Sequence, residues 1–317
     1  MNSIWLSHLI NVSAAELDRL DAQLINSFEA QLKEQNIEQN IRPYLKQFYI
    51  PFAAWLKQKQ SLLNSTLIVG INGAQGSGKT TISQLTATIL QQGFNLKTVI
   101  LSIDDLYKTR QQREQMASDI HPLYKTRGVP GTHDTALGID VLEKIKTLKP
   151  NETLRYPAFD KGNDEPLPIS LWPKCQGPID IIIFEGWCVG ASAQTKNALR
   201  RGINSLETNE DADGIWRNAV NEHLKSDYKS LFDLLDCLVF IQIPSFDYVL
   251  KWRGLQEQKL ANKHQHEQHL MTSASVLKRF VDHYERLTQF QLVDMPNKAD
   301  LVIKLGEDHQ IKALTIK

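Results

Sequence analysis

Three scarcities narrow the field before any motif is read. The chain of 317 residues has three cysteines, Cys175, Cys188 and Cys237, and no C-x-x-C pair. An odd, scattered set of thiols argues against a disulfide framework and suits a reducing compartment. Apolar runs never exceed the length of a strand, far short of a membrane span. The first twenty residues, MNSIWLSHLINVSAAELDRL, lack the basic start and sustained apolar stretch of a secretory signal, and their acidic residues do not suit a transit peptide. The expectation is a cytoplasmic protein with no membrane partner. Charge of one sign is missing too: 36 basic residues balance 36 acidic ones. A nucleic-acid binder usually carries a basic excess, so no nucleic-acid partner is expected. No internal repeat or low-complexity tract occurs.

What is present is ordinary in bulk and specific in one place. Hydrophobic residues make up 42% and charged residues 23% of the chain, as in a globular protein with a sizeable core. The length allows one large α/β domain with additions, or two small ones. The specific place is residues 66–81, TLIVGINGAQGSGKTT. Residues 66–71 are almost wholly apolar and β-branched, as in a parallel strand buried on both faces. Gly73, Ala74, Gln75, Gly76, Ser77, Gly78, Lys79 and Thr80 fit G-x-x-x-x-G-K-[ST], and Thr81 follows. Ile82, Leu85 and Ile89 then recur at helical spacing, with Gly93 as the expected stop. Strand, glycine loop and helix together are the setting in which this motif cradles phosphates. Glycines let several backbone N–H groups converge on one anion, and the helix N-terminus adds partial positive charge. Lys79 can reach the β- and γ-phosphates, and Thr80 can offer its hydroxyl to Mg²⁺. The chain is therefore expected to bind a nucleoside triphosphate.

Taken in order, the chain begins with helical material. Ser13 to Glu16 match a capping box, and Leu17, Leu20, Leu24, Phe28 and Leu32 draw an apolar stripe. A second helical stretch covers residues 41–62, where Pro51 can kink or divide it. Residues 1–62 are thus expected as a helical extension packed on a domain of residues 63–317.

Residues 98–103 form a second buried strand, ending in Asp104 and Asp105. Ligands of open α/β sheets lie beyond the carboxyl ends of strands, which puts these carboxylates near the phosphate loop. The competing role for them is to cap the next helix. Residues 108–133 and 151–178 look irregular, and Asp134 caps a helix between them. Residues 179–184 form a third strand running into Glu185, a position suited to a Mg²⁺ ion or its water. Residues 193–201 look helical, residues 207–214 look like an acidic surface loop, and one helix is expected over 215–231. Residues 237–243 make a fourth strand. A helical region follows from Tyr248, and Thr272 or Ser273 caps a further helix; residues 247–290 are the expected lid region. Residues 299–305 and 310–316 read as two last strands. The fold expected is α/β: a doubly wound, mainly parallel P-loop NTPase sheet flanked by helices, with the N-terminal helical extension.

Some signals are discounted. His264, His266 and His269 cannot share one helix face and do not form H-E-x-x-H, so a solvated face is expected there instead of a metal site. Asn64-Ser65-Thr66 spells a glycosylation acceptor but abuts a buried strand. Asn297-Lys298-Ala299-Asp300 spells the guanine-reading N-K-x-D of GTPases, yet it precedes a strand where that motif follows one. The D-x-x-G switch element is also missing, and Glu185-Gly186 stands in its region. Packing is the default expectation for Trp216 and Trp252, although Trp252 sits beside charges that could face the nucleotide.

In further stretches the sequence resembles the D-glycerate 3-kinases, within the larger phosphoribulokinase, uridine kinase and pantothenate kinase group. These stretches are Gly73 to Thr80, Ser102 to Tyr107, Arg127-Gly128-Val129-Pro130-Gly131-Thr132-His133-Asp134, Phe159-Asp160-Lys161, Phe184-Glu185-Gly186-Trp187-Cys188-Val189-Gly190 and Trp252 to Glu257. They span roughly residues 40–317. At one point the chain departs. Such kinases often follow F-D-K with a longer glycine-rich segment ending in Gly-Asp-Arg, where this chain has Gly162-Asn163-Asp164-Glu165.

The resemblance implies transfer of the γ-phosphate of Mg-ATP to a hydroxyl of a small acid, D-glycerate first, giving 3-phosphoglycerate. Backbone amides of residues 74–80 and Lys79 would hold the phosphates, and Thr80 and Glu185 the Mg²⁺. Asp104 or Asp105 would take the hydroxyl proton; the resemblance favours Asp104. Arg127, His133 and Lys161 would grip a carboxylate, Asp134 the hydroxyls, and Tyr107 and Trp187 would complete the acceptor set. Lys251 and Arg253 would close over the phosphates. A kinase for another metabolite, such as a nucleoside or pantothenate, and a regulatory ATP-binding protein are the alternatives.

Overall fold

The computed structural model describes residues 5, 12–37, 41–252, 254 and 274–317. A six-stranded sheet runs through it, built from β1 (Leu67–Gly73), β2 (Thr98–Ser102), β7 (Ile181–Gly186), β8 (Cys237–Gln242), β9 (Leu301–Leu305) and β10 (Ile311–Ile316) in the order β10-β9-β8-β1-β7-β2. All neighbours are parallel except β10, which turns back antiparallel on β9. The chain leaves β1 for the β7–β2 side and later returns to its other flank with β8. The order thus reverses at β1, and the crevice beyond its carboxyl end is where such sheets hold ligands.

Alternation along the strands supplies two cores. Leu67, Val69, Ile71, Ile181 and Ile183 face α1 (Ala14–Glu34), α2 (Ile50–Leu63) and α3 (Lys79–Phe94). Ile68, Ile182 and Phe184 face α5 (Thr135–Lys146), α8 (Asp227–Phe232) and α9 (Ala274–Asp294). Helices on both faces explain why β1 and β7 carry almost no polar residues. Among the described residues no helix is long and apolar enough to cross a membrane.

The expected stripe of α1 is buried at Leu20, Leu24, Phe28 and Leu32, and Ser13 accepts the Glu16 N–H at its start. In the second stretch, a π-helical turn (Leu45–Tyr49) gives way to α2, whose first turn holds Pro51. Both helices pack on α3.

Several local expectations are corrected. Helix α3 passes through Gly93 and ends at Asn95, whose φ of 55° takes the left-handed position. Gly93 instead lets α1 approach, since a Cβ there would lie 3.1 Å from Leu24 and 3.3 Å from Leu20. Residues 108–133 contain α4 (Arg110–Asp119), closed by a reciprocal capping box between Thr109 and Gln112. Its polar surface buries only Arg113, so no apolar period revealed it. Residues 151–178 hold two small antiparallel pairs: β3 (Thr153–Arg155) with β6 (Lys174–Gln176), and β4 (Phe159–Asp160) with β5 (Glu165–Pro166).

Residues 193–201 form turns instead of a helix, with the Gln194 backbone bonded to the Asn221 side chain. The acidic stretch 207–214 is not a solvated loop. It includes α6 (Ser205–Glu210), and its buried Glu207 and Asp211 pair with Arg286 and Arg217. The helix expected over 215–231 breaks at Ser226 into α7 (Ile215–Lys225) and α8. Thr272, Ser273 and the histidines 264–269 lie outside the described residues. Asp300 of the N-K-x-D spelling binds Leu238 N–H at 2.8 Å and Lys59 at 3.2 Å, at the amino end of the strands and away from the phosphate loop.

Candidate active site

Beyond the carboxyl ends of β1, β2 and β7 lies a cavity of about 550 Å³. The phosphate loop forms its floor. Gly76 (φ 76°) and Gly78 (φ 89°) adopt left-handed backbone, which turns the loop into the start of α3. Gly73 has no room for a side chain: a Cβ would stand 2.6 Å from Ser77 Oγ. Lys79 Nζ donates to the Ala74 carbonyl at 3.1 Å. The Ser77 hydroxyl and Gln75 Oε1 are buried without a partner. Thr80 Oγ1 donates to Glu185 Oε1 at 3.2 Å. Burial pushes the Glu185 carboxyl up, a rise that Lys79 partly offsets; burial likewise lowers the Lys79 ammonium against Glu185 and Asp104.

The two aspartates after β2 separate. Asp104 lines the cavity, with Oδ1 accepting from Tyr107 Oη at 2.8 Å and Oδ2 from Lys161 Nζ at 2.9 Å. Burial pushes its carboxyl up, but Lys161 and Tyr107 outweigh that and hold it at about 2. Asp105 does not line the cavity. It accepts Phe159 N–H at 3.2 Å, which fixes the β4–β5 hairpin, and burial raises it to about 6. An identical pair in sequence thus becomes a cavity-facing anion and a structural anchor.

Arg127, Lys161 and Trp187 also line the cavity. Arg127 pairs with Asp164 and donates to the Lys161 carbonyl at 3.3 Å. Trp187 Nε1 donates to the Gly128 carbonyl at 2.9 Å. Tyr107 stacks on His133 at 4.5 Å between ring centres. His133 itself is fully buried behind Tyr107, with Nδ1 bonded to Tyr228 Oη and Nε2 unpartnered; burial lowers it to about 3. Asp134 is the N-cap of α5, accepting Leu137 N–H at 2.9 Å. Neither His133 nor Asp134 is among the residues lining the cavity: His133 stacks on Tyr107 and Asp134 caps α5. Lys251 is exposed, 5.5 Å above the Tyr248 ring and outside the cavity lining, and Arg253 lies outside the described residues.

Glu165, which stands where an arginine was expected, faces away as well. Its carboxylate accepts Arg110 N–H at 3.3 Å, at the start of α4. The neighbouring Asp164 ties the hairpin down, bonding Arg113 at 2.8 Å and Arg127.

Some wall residues escaped the sequence reading. Ile37, Tyr44 and Tyr49 come from the N-terminal extension, His309 and Ile311 from the β9–β10 turn. His309 has φ 65°, stacks on Trp252 at 3.8 Å and leaves its buried Nε2 without a partner. No motif marks these positions; the packing of the N-terminal helices on the sheet and the β9–β10 turn at the sheet's edge bring them to the phosphate loop. Trp252, flanked in sequence by charges, also lines the cavity.

The loop, the acid at the end of β7 and the carboxylate after β2 form a constellation that can be compared with known proteins. Residues 68–199 match the model of the phosphoribulokinase/uridine kinase family. An uncharacterized kinase of Schizosaccharomyces pombe, mug58, is 31% identical over 242 residues, which cover 74% of this chain and 84% of that protein. The chain belongs to the phosphoribulokinase/uridine kinase family. The chloroplastic D-glycerate 3-kinase of Arabidopsis thaliana is 27% identical over 248 residues, or 73% of this chain and about half (51%) of that protein's length. A solved D-glycerate 3-kinase from Cryptococcus neoformans superposes with a TM-score of 0.70 at 22% identity, covering 84% of this chain and 98% of that one. Likeness at that identity bears on the fold. The resemblance to D-glycerate 3-kinases read from the motifs is borne out, and the protein is a P-loop kinase of this family.

Proposed function

We propose that this kinase moves the γ-phosphate of Mg-ATP to a hydroxyl of a small hydroxy acid, with D-glycerate the first candidate and 3-phosphoglycerate the product. The observation that carries the reading is Asp104, a carboxylate on the wall of the cavity floored by the phosphate loop, with a lysine ammonium 2.9 Å away. Phosphoryl transfer needs positioning and charge neutralisation more than covalent chemistry. Amides of residues 74–80 and Lys79 hold the β- and γ-phosphates. The Ser77 hydroxyl, unpartnered among the described residues, and the Lys79 ammonium, donating to a backbone carbonyl, are what an incoming triphosphate would satisfy. Thr80 and Glu185 suit Mg²⁺, being hard oxygen donors that leave room for its waters, and a bound cation would relieve the buried Glu185 carboxylate. The ion's contribution is to neutralise charge on the phosphate oxygens.

Asp104 receives the acceptor hydroxyl proton. Lys161 and Arg127 supply positive charge for the acceptor carboxylate. Ile37, Tyr44, His309 and Ile311 offer an apolar and aromatic lobe for the nucleoside. The names of the relatives support glycerate within this frame. A second reading, a nucleoside acceptor, draws on Tyr107, Trp187, Phe280 and Tyr284, which line the other end of the cavity with rings.

The test is ADP release from Mg-ATP across a panel of hydroxy acids, polyols and nucleosides, with direct detection of 3-phosphoglycerate. Turnover with D-glycerate at least tenfold above the neutral acceptors is expected. Turnover confined to nucleosides would overturn the hydroxy-acid reading, and ADP release unaffected by every acceptor would favour a regulatory ATP-binding protein.

A further inference from the structure

Each oxygen of Asp104 already accepts one hydrogen bond, and one of the two donors is a cation. Tyr107 holds Oδ1 at 2.8 Å and Lys161 holds Oδ2 at 2.9 Å. Hydrogen bonds and a cation that stabilise the charged carboxylate make it a weaker base. The two clamps differ in kind. Tyr107 is buried and stacked on His133, hence fixed. Lys161 is a flexible stem on a hairpin turn, with its side chain 61% exposed against 31% for Asp104. An ammonium this exposed can trade one carboxylate for another without being stripped of water. The backbone below it is not free: the Lys161 carbonyl accepts from Arg127, Asp164 ties the turn to Arg113 and Arg127, and Asp105 holds Phe159. Only the lysine side chain can swing.

We propose that Lys161 is an acceptor-sensing clamp: with ATP alone it occupies Asp104, and the carboxylate of an arriving hydroxy acid draws its ammonium away and frees Asp104 as the base. This rests on the hydroxy-acid reading above. In the productive step the acceptor oxygen bonds to the γ-phosphorus, the bond from that phosphorus to the β–γ bridging oxygen breaks, ADP leaves, and the hydroxyl proton passes to Asp104. With water as nucleophile the same exchange yields inorganic phosphate, and the clamp keeps Asp104 from activating that water. A neutral polyol has no carboxylate to move Lys161 and is turned over slowly for that reason.

The experiment compares the full chain with its Lys161→Met and Lys161→Arg variants in Mg-ATP, reading ADP release without acceptor, with D-glycerate and with glycerol. Lys161→Met is expected to raise acceptor-free ADP release by about threefold or more, a share of the effect a positioned base supplies. It is also expected to lose glycerate turnover and to narrow the glycerate-to-glycerol ratio. Lys161→Arg, which keeps the charge, is expected to release ADP without acceptor more slowly than Lys161→Met. Adding Asp104→Asn to Lys161→Met is expected to remove the excess. Acceptor-free release in Lys161→Met at or below that of wild type overturns the clamp, even where wild type phosphorylates glycerate. A wild type that phosphorylates no acid overturns the hydroxy-acid reading, and the acceptor-free rates then still decide whether Lys161 restrains Asp104.

Discussion

Thr80 Oγ1 lies 3.2 Å from Glu185 Oε1, joining the first residues of α3 to the last of β7 across 105 positions of sequence. The contact follows from the parallel register of β1 and β7, which sets Ile71 opposite Glu185 and so ends both strands at one level. In the proposed reaction this hydroxyl and carboxylate would hold Mg²⁺, a hard cation that takes oxygen ligands. Glu185→Gln is expected to keep the fold while raising the Mg²⁺ concentration for half-maximal turnover about tenfold and lowering kcat by about a hundredfold. A Mg²⁺ titration of ADP release at saturating ATP checks both.

The separation of Asp104 from Asp105 predicts opposite outcomes for one chemical change. Asp104→Asn is expected to lower kcat by about a hundredfold or more, the usual share of a positioned base, with KM for ATP little changed. Asp105→Asn is expected to keep kcat within about threefold, because its oxygen can still accept the Phe159 N–H. Steady-state kinetics of both variants decide; a larger loss in Asp105→Asn would reverse the assignment.

The same pair sets a pH signature. Asp105 is raised to about 6 by burial, so the folded state binds a proton more tightly than the unfolded chain. Its contribution to stability is full below the ordinary carboxylate value near 4 and is lost as pH rises from about 4 to 6. Asp104, held at about 2, works in the other direction: its contribution is present above pH 4 and is lost as pH falls toward 2. In thermal unfolding from pH 4 to pH 7, Asp105→Asn is expected to remove the decline of Tm that this group would contribute in wild type.

Asp164→Ala removes the anion between two arginines. Arg113 is 1% exposed and would keep its carbonyl partners but lose its counter-ion. Breaking such a pair from one side costs about 3 kcal/mol. Urea unfolding should register that loss. The acceptor KM is expected to rise at least tenfold while KM for ATP holds, because the hairpin carrying Lys161 is released and the phosphate loop is not.

Gly128 tests the back wall of the acceptor end. Its φ is 136°, and an added Cβ would fall on the Tyr284 hydroxyl, which otherwise donates to the Arg127 carbonyl at 3.1 Å. Gly128→Ala is expected to cost about 2 kcal/mol or more through strain and overpacking. It should also weaken acceptor binding by displacing Tyr284. Tm and acceptor KM measured together check this.

Much of the machinery was legible because its physics is local. A buried parallel strand has to be apolar throughout, glycines have to stand where the loop turns left-handed, and a helix has to follow; all three are written within residues 66–94. Glu185 was legible for the same reason, as an acid at the end of an apolar run. Elements held by long-range polar contacts were not. Helix α4 has no apolar stripe, α6 rests on Glu207 and Arg286 far apart in sequence, and the turns at 193–201 answer to Asn221.

The sequence by itself determined the phosphate loop, the parallel α/β plan and the family. Tertiary structure decided which aspartate faces the cavity, that His133 stands behind Tyr107 while Asp134 caps α5, and that Lys161 meets Asp104. The reason is that adjacent residues point in different directions once the chain turns. Asp104 and Asp105 are chemically alike, and the hairpin at 159–166, tied down by Asp164 and its arginines, leaves Asp105 as its anchor and Asp104 as a carboxylate facing the cavity.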